Sequence, residues 1–166
     1  VFDNTVIGLP PGSTICFSAS NSYVGTMILA NFEGTATDQM TFTNCDGKVT
    51  INGNGNHCIL VDGSDYFQLT GTGSDADMYG LELTNCGFGV RVGAGSGRHY
   101  SEVDHIEVHD NINHAAFSIK TDPTMVIWNS DNFEMNNHYL HDNYATNIAT
   151  ECVYLGYHNI DHPDMP

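Results

Sequence analysis

The sequence predicts an all-β chain wound as a solenoid of stacked parallel coils, and three observations carry that expectation. Short apolar segments recur between clusters of Gly, Asn, Asp, Ser and Thr, with almost no helical periodicity. An Asn returns at the end of several of these segments. Two-residue hairpin loops, which a sandwich of antiparallel strands would use freely, are nearly missing.

In chain order, residues 1–23 carry two prolines and the apolar run Ile15-Cys16-Phe17, and read as an entry segment folded over the first coil. Residues 24–160 read as the coils. The polar, proline-broken stretch 161–166 reads as a truncated tail, so the coil around Cys152–Tyr157 is expected to be open while the N-terminal end is covered. Within the coils, "QMTFTNC" (39–45), "GLELTNC" (80–86), "HIEVHDN" (105–111) and "HYLHDN" (138–143) align with Asn44, Asn85, Asn111 and Asn143 in one column. Ahead of that Asn stand Phe42, Leu83, Val108 and Leu140, and two positions further back Met40, Leu81, Ile106 and His138. This is the period of two expected of a strand with one buried face. The expectation is that the four Asn turn equivalent corners, that Ile106 and Val108 are buried, and that His138 is a hydrogen-bonded inward histidine. A second family of segments, "MILANF" from Met27, "HCILVDG" from His57, "FGVRVGAG" from Phe88, "AFSIKT" from Ala116 and "CVYLGYH" from Cys152, interleaves with the first.

Composition narrows the function. At 166 residues the chain is one domain by size, and four Lys and Arg against twenty Asp and Glu give a formal charge of −16. Such a chain repels the phosphate backbone, which excludes nucleic acid as a partner. No run approaches the roughly 20 apolar residues of a membrane-spanning helix. Cations, neutral sugars and basic partners remain. Five cysteines without a C-x-x-C pair argue against a zinc ribbon or a thioredoxin-type site, and leave buried thiols or one or two disulfides both open.

The stretches "VTINGNGNHCILVDGSDYFQLTGTG", "YGLELTNCGFGVRV", "FSIKTDP" and "NNHYLHDNYATNIATECVYLGYH" resemble coils of right-handed parallel β-helix proteins of the pectate-lyase type, in particular secreted bacterial members. The resemblance covers about residues 24–160 in pattern. It implies a right-handed parallel β-helix, here partial or uncapped, an extracellular or cell-surface location, and a site on the outer surface of one sheet. A lyase on that scaffold needs a cation or bound calcium to neutralise a uronate and a base to remove the C5 proton.

The chain offers Lys48, Arg91, Arg98 and Lys120 as cations, of which Lys120 and Arg98 border turns beside Asp or Glu. Alternation along "VDHIEVH" puts His105, Glu107 and His109 on one outer face, where two imidazoles flanking a carboxylate can hold a metal or act as acid and base. The same three residues are also what any solvated strand face looks like. Two acidic loops, "DGSD" (62–65) and "GSDADM" (73–78), make Asp62, Asp65, Asp75 and Asp77 candidate calcium ligands without the spacing of an EF-hand. The "GAGSG" stretch (93–97) lacks the Lys-Ser/Thr of a phosphate loop and reads as a corner. Tyr66, Tyr79, Tyr100, Trp128, Tyr154 and Tyr157 offer rings for stacking on sugars. Two functions follow. One is a carbohydrate-associated β-helix, lyase-like or sugar-binding. The other is a structural solenoid of a surface protein or extracellular filament, stacking end to end with like molecules.

Overall fold

The computed structural model describes residues 1–93, 100–120 and 136–156. The chain winds through three faces in turn. The first coil runs β1 (Phe2–Asp3), a single helical turn α1 (Asn4–Ile7), β2 (Thr14–Ser18) and β3 (Tyr23–Val24). The second is β4 (Met27–Ala30), β5 (Met40–Cys45) and β6 (Val49–Asn52), and the third β7 (Ile59–Asp62), β8 (Phe67–Thr70) and β9 (Leu81–Thr84). The fourth is β10 (Val90–Val92), β11 (Ser101–Asp104) and β12 (Ile106–Asn111), and the fifth β13 (Phe117–Ile119), β14 (His138–His141) and β15 (Tyr144–Ile148). Finally, β16 (Val153–Leu155) opens a sixth.

Strands from successive coils pair in parallel to make three sheets: sheet A (β1-β4-β7-β10-β13-β16), sheet B (β2-β5-β8-β11-β14) and sheet C (β3-β6-β9-β12-β15). The fold is a parallel β-helix. The five segments of the second sequence family are β4, β7, β10, β13 and β16, all on sheet A. Residues 1–23, expected to cover the first coil, instead form it: β1 pairs with β4 and β2 with β5.

Because the register is one residue above another, inward side chains form continuous ladders. Phe2, Leu29, Val61, Val92, Ile119 and Leu155 make one on sheet A. Ile15, Phe42, Leu69, Val103 and Leu140 make another on sheet B. Tyr23, Ile51, Leu83, Val108 and Ala145 make the third on sheet C. The middle coils bury these side chains completely, with Leu29, Phe42, Ile51, Leu69, Leu83 and Val108 all inaccessible to solvent. Phe42 packs edge-on between Phe32 at 5.0 Å and Phe67 at 6.1 Å. His138 faces inward below Ser101, whose hydroxyl meets its Nδ1 at 2.8 Å.

The corners correct the single Asn column. Leu83 stands opposite Val108 and Thr84 opposite His109, so the residue opposite Asn85 is Asp110, and Asn111 lies one position beyond. Asn44, near the end of β5, and Asn143 lie where the chain passes from sheet B to sheet C, whereas Asn85 and Asn111, the last residue of β12, lie where it passes from C to A. What repeats is backbone conformation rather than one residue type. Asn85, Asp110 and Asn147, at matching positions of three coils, have φ of 53°, 55° and 51°. His105 and Asp142, matching at the B-to-C turn, have φ of 53° and 50°. Asn, Asp and His tolerate this left-handed region better than other side chains because their short polar groups bond locally. Asn44 serves differently: fully buried, it accepts from the Gly73 amide at 2.9 Å and donates to the Gly47 carbonyl at 2.8 Å, fixing the turn from inside.

Two disulfides clip the coils. Cys16–Cys45 crosses the outside of sheet B, and Cys58–Cys86 lies inside at the C-to-A turns, with both sulfurs buried. Cys152 is free and exposed.

Truncating the central ring of the ladder removes buried surface that its stacked neighbours cannot refill. Phe42→Ala is therefore expected to cost about 3–5 kcal/mol, read from the midpoint of a guanidinium unfolding curve with the disulfides intact.

Candidate functional site

Outward residues stack in rows just as inward ones do, and on sheet C the rows bring charge together. Thr50, Glu82, Glu107 and Tyr144 stand one above another, with Asn52, Thr84, His109 and Thr146 beside them. Glu82 and Glu107 on adjacent coils repel each other. Lys48, at the turn into β6, reaches up the row and places its ammonium 2.7 Å from Glu107 Oε2 and 3.3 Å from Glu82 Oε1. Thr50 donates its hydroxyl to Glu82 Oε2 at 2.6 Å, and His109 Nε2 lies 3.4 Å from Glu82 Oε1. Partial burial by itself pulls the Lys48 pKa down, but the hydrogen bond it donates to Glu107 and the charges of both glutamates outweigh it and hold the ammonium above its ordinary value. For Glu82, burial pushes upward, and the hydrogen bonds from Thr50, Lys48 and His109 together with the Lys48 charge win, so the carboxyl sits below its ordinary range. The bond to Asp110, at 2.9 Å from Nδ1, raises the His109 pKa; burial opposes it and Glu82 adds to it.

A related arrangement lies on sheet B. Thr70, Asp104 and His141 share one outer row, and Gln68, Glu102 and Tyr139 the next. The Asp104 carboxylate is buried at the strand end, accepting from Thr70 and from His105 at Oδ1 and from Gln68 Nε2 at Oδ2, the last at 3.2 Å. His141 meets Asp142 through Nδ1 at 2.9 Å and Glu102 Oε1 through Nε2 at 3.1 Å. His109-Asp110-Asn111 and His141-Asp142-Asn143 thus repeat one local device on two sheets: each imidazole is held by the aspartate after it and aimed at a glutamate on the preceding coil.

Tyrosines flank both rows. Tyr66 and Tyr100 stack nearly parallel at 6.2 Å, and Tyr139 follows Tyr100 at 5.5 Å. Tyr79 stacks on Tyr144 at 5.9 Å. The last rings, Tyr139 and Tyr144, are about half exposed and stand on either side of the turn that carries Asp142 and Asn143.

Of the residues expected to carry chemistry, Glu107 and His109 share the outer face of β12, with Ile106 and Val108 buried on its inner face. His105 does not join them. Its left-handed φ places it in the turn before the strand, and its Nδ1 contacts Asp104 Oδ1 at 2.6 Å. Lys120 lies beyond β13 on another side of the solenoid, its ammonium 5.8 Å from the centre of the Tyr154 ring, beside a cavity of about 250 Å³ lined also by Phe88, His114 and Glu151. Arg98 lies outside the described residues, as do Trp128, Tyr157 and residues 94–97 of the Gly-rich stretch. The four candidate calcium ligands are dispersed: Asp62 ends β7, Asp65 accepts from the Tyr66 and Tyr100 amides, and Asp75 and Asp77 are exposed in the loop from β8 to β9. Among the described residues, the groups whose ligand atoms all lie within 4.8 Å of one another are Glu82–Glu107–His109 and Glu102–Asp104–His141. None of the four aspartates is in either. Glu82, Glu102, Asp104 and His141 were not among the expected residues, and Lys48 stood only as one of four cations. The alignment of "LELT" with "IEVH" already puts Glu82 level with Glu107, but a row becomes a cluster only when the partner above it is known.

The His109–Asp110 bond has a measurable consequence. A histidine whose folded-state pKa is raised contributes stability that is fully present below the unfolded value of about 6.5 and lost as pH rises through the folded value. Replacing Asp110 with Asn is expected to lower the His109 pKa in an NMR titration and to flatten the pH dependence of stability above about 6.5. Lys48→Met is expected to raise the Glu82 pKa in the same titration, since it removes the charge between the two carboxylates. No protein-family model, curated protein or solved structure matches the chain.

Proposed function

We propose that the chain is an extracellular carbohydrate-binding β-helix of the pectate-lyase-like type, holding a strand of neutral polysaccharide against the outer faces of sheets B and C without cleaving it. The observation that carries this reading is the pair Tyr139 and Tyr144, half exposed on either side of one turn, each packed against a tyrosine from an earlier coil, Tyr144 stacked on Tyr79 and Tyr139 tilted against Tyr100. A ring already fixed by its neighbour loses little freedom when a sugar packs on it. Between and behind the two rings lie His141, Asp142, Glu102 and Glu107, acceptors and donors of the kind that bind vicinal hydroxyls.

Charge chooses the class of glycan and disfavours lysis. A chain at −16 repels polyuronates. The Lys48 ammonium, held protonated between two glutamates, has no lone pair with which to abstract a sugar proton. Electrophoresis through gels carrying neutral β-glucan, xylan or galactomannan, with polygalacturonate as the anionic control, tests the reading. Retardation by a neutral glycan that falls at least about 10-fold in affinity in Tyr139→Ala and Tyr144→Ala is expected, the size of one lost stacking contact. Retardation by polygalacturonate alone, or release of unsaturated products from it, defeats the proposal.

A second reading, assembly of like molecules end to end, draws on a different observation. The inward residues Val153 and Leu155 are exposed, beside an opening of about 560 Å³ that Ile119, His138, Leu140 and Gly156 also line. If copies stack on this end, sedimentation becomes concentration-dependent and Leu155→Glu abolishes the larger species; a single species at all concentrations removes the reading.

A further inference from the structure

We infer that Glu102, Asp104 and His141 form a binding site for a divalent transition-metal ion of the zinc class on the outer face of sheet B. Glu102 and Asp104 lie two apart on β11 and so point the same way, and His141 stands directly opposite Asp104 on β14. Their ligand atoms, two carboxylate oxygens and one imidazole nitrogen, all fall within 4.8 Å of one another. Bonds of about 2.0–2.2 Å place two ligands of one ion at most about 4.4 Å apart, so side-chain adjustments of a few tenths of an ångström close the set. One imidazole with two carboxylates suits zinc or its neighbours, whereas calcium prefers oxygen alone.

The surroundings of each ligand single out this cluster. Metal sites hold their ligands with a second ring of hydrogen bonds, and here every ligand has one. Asp142 takes the Nδ1 side of His141, which turns Nε2 toward Glu102 Oε1 at 3.1 Å. The Tyr100 hydroxyl donates to Glu102 Oε2 at 2.8 Å, leaving Oε1 to face the imidazole. Thr70, His105 and Gln68 fix the buried Asp104 carboxylate. A bound ion would take the place of the proton that otherwise bridges His141 Nε2 and Glu102 Oε1.

The sister cluster Glu82–Glu107–His109 meets the same distance condition, yet Lys48 already supplies its positive charge at 2.7 and 3.3 Å from the two carboxylates. On sheet B no lysine or arginine pairs with Glu102 or Asp104 among the described residues. In the sheet C cluster a lysine ammonium thus stands where an ion would, and in the sheet B cluster an exchangeable imidazole proton does.

Zinc titrated into the full chain carrying Cys152→Ser, so that the exposed thiol does not compete, and read against a chromophoric chelator, tests the site. One equivalent is expected to bind. Glu102→Gln and His141→Ala each abolish it, Asp142→Asn weakens it about 10–100-fold as loss of an outer-ring partner does, and His109→Ala leaves it unchanged. X-ray absorption of the zinc complex shows oxygen and nitrogen neighbours with a single imidazole. Where His141→Ala fails to give a native amide spectrum, the isosteric Glu102→Gln decides. No bound zinc in the folded chain, an equivalent that survives Glu102→Gln, or one lost in His109→Ala overturns the assignment.

Discussion

Parallel backbone pairing between successive coils is the constraint on which everything else rests. A strand in the middle of the stack satisfies its amides and carbonyls only through the coils above and below, as in Met27 N to Cys58 O at 2.9 Å or Gly53 N to Thr84 O at 3.0 Å. That pairing fixes register, and register places equivalent residues directly over one another. The apolar ladders of the interior and the left-handed turns at Asn85, Asp110 and Asn147 follow from it. Even close approach at the turns is dictated: a Cβ on Gly71 would sit 2.0 Å from the His105 carbonyl oxygen of the next coil, so only glycine fits.

On the outside the same constraint creates an electrostatic problem and its solutions. Stacking in a chain so poor in cations sets carboxylate above carboxylate, as with Glu82 and Glu107. One of only four Lys and Arg residues is spent at that point. On sheet B the row alternates chemistry instead, with Thr70, Asp104 and His141 each on a different coil, so a hydroxyl and an imidazole bracket the single carboxylate. The candidate sites are thus consequences of stacking, since residues far apart in sequence meet because each holds the same place in its own coil.

How much of this the sequence discloses depends on how far each inference reaches. Alternation within one strand is local, so the inward Ile106 and Val108 and the outward Glu107 and His109 were legible, as was the parallel solenoid itself. The five apolar segments of sheet A were legible as a family, because that sheet has the most uniform inward pairs. Register between coils was less so. Aligning Asn111 with Asn85 is off by one, since "IEVHDN" carries one residue more than "LELTN" before its Asn, and only the backbone shows that Asp110 makes the turn. Strands β2, β6, β8, β11 and β15 escaped because their outward Thr, Gln, Glu and Asn residues resemble loop composition. The meeting of Lys48 and Glu82 with Glu107 escaped for a different reason: it depends on which coil lies over which, and one sequence does not print that.

The interior disulfide has a mechanical meaning. Cys58 precedes β7 and Cys86 follows β9, so the entire third coil lies within a covalent loop whose ends are 28 residues apart in sequence. A solenoid pulled from its termini peels coil by coil, and each released coil adds its contour length to the tether. The third coil adds none. Its strands lose their partners when the neighbours leave, but its chain stays out of the line of tension, and the force passes from Cys58 to Cys86 through sulfur rather than through backbone. The segment between Cys16 and Cys45 is shielded in the same way. A molecule of this design under load thus has a stretch that yields coil by coil and two that give no length until a reductant cuts them.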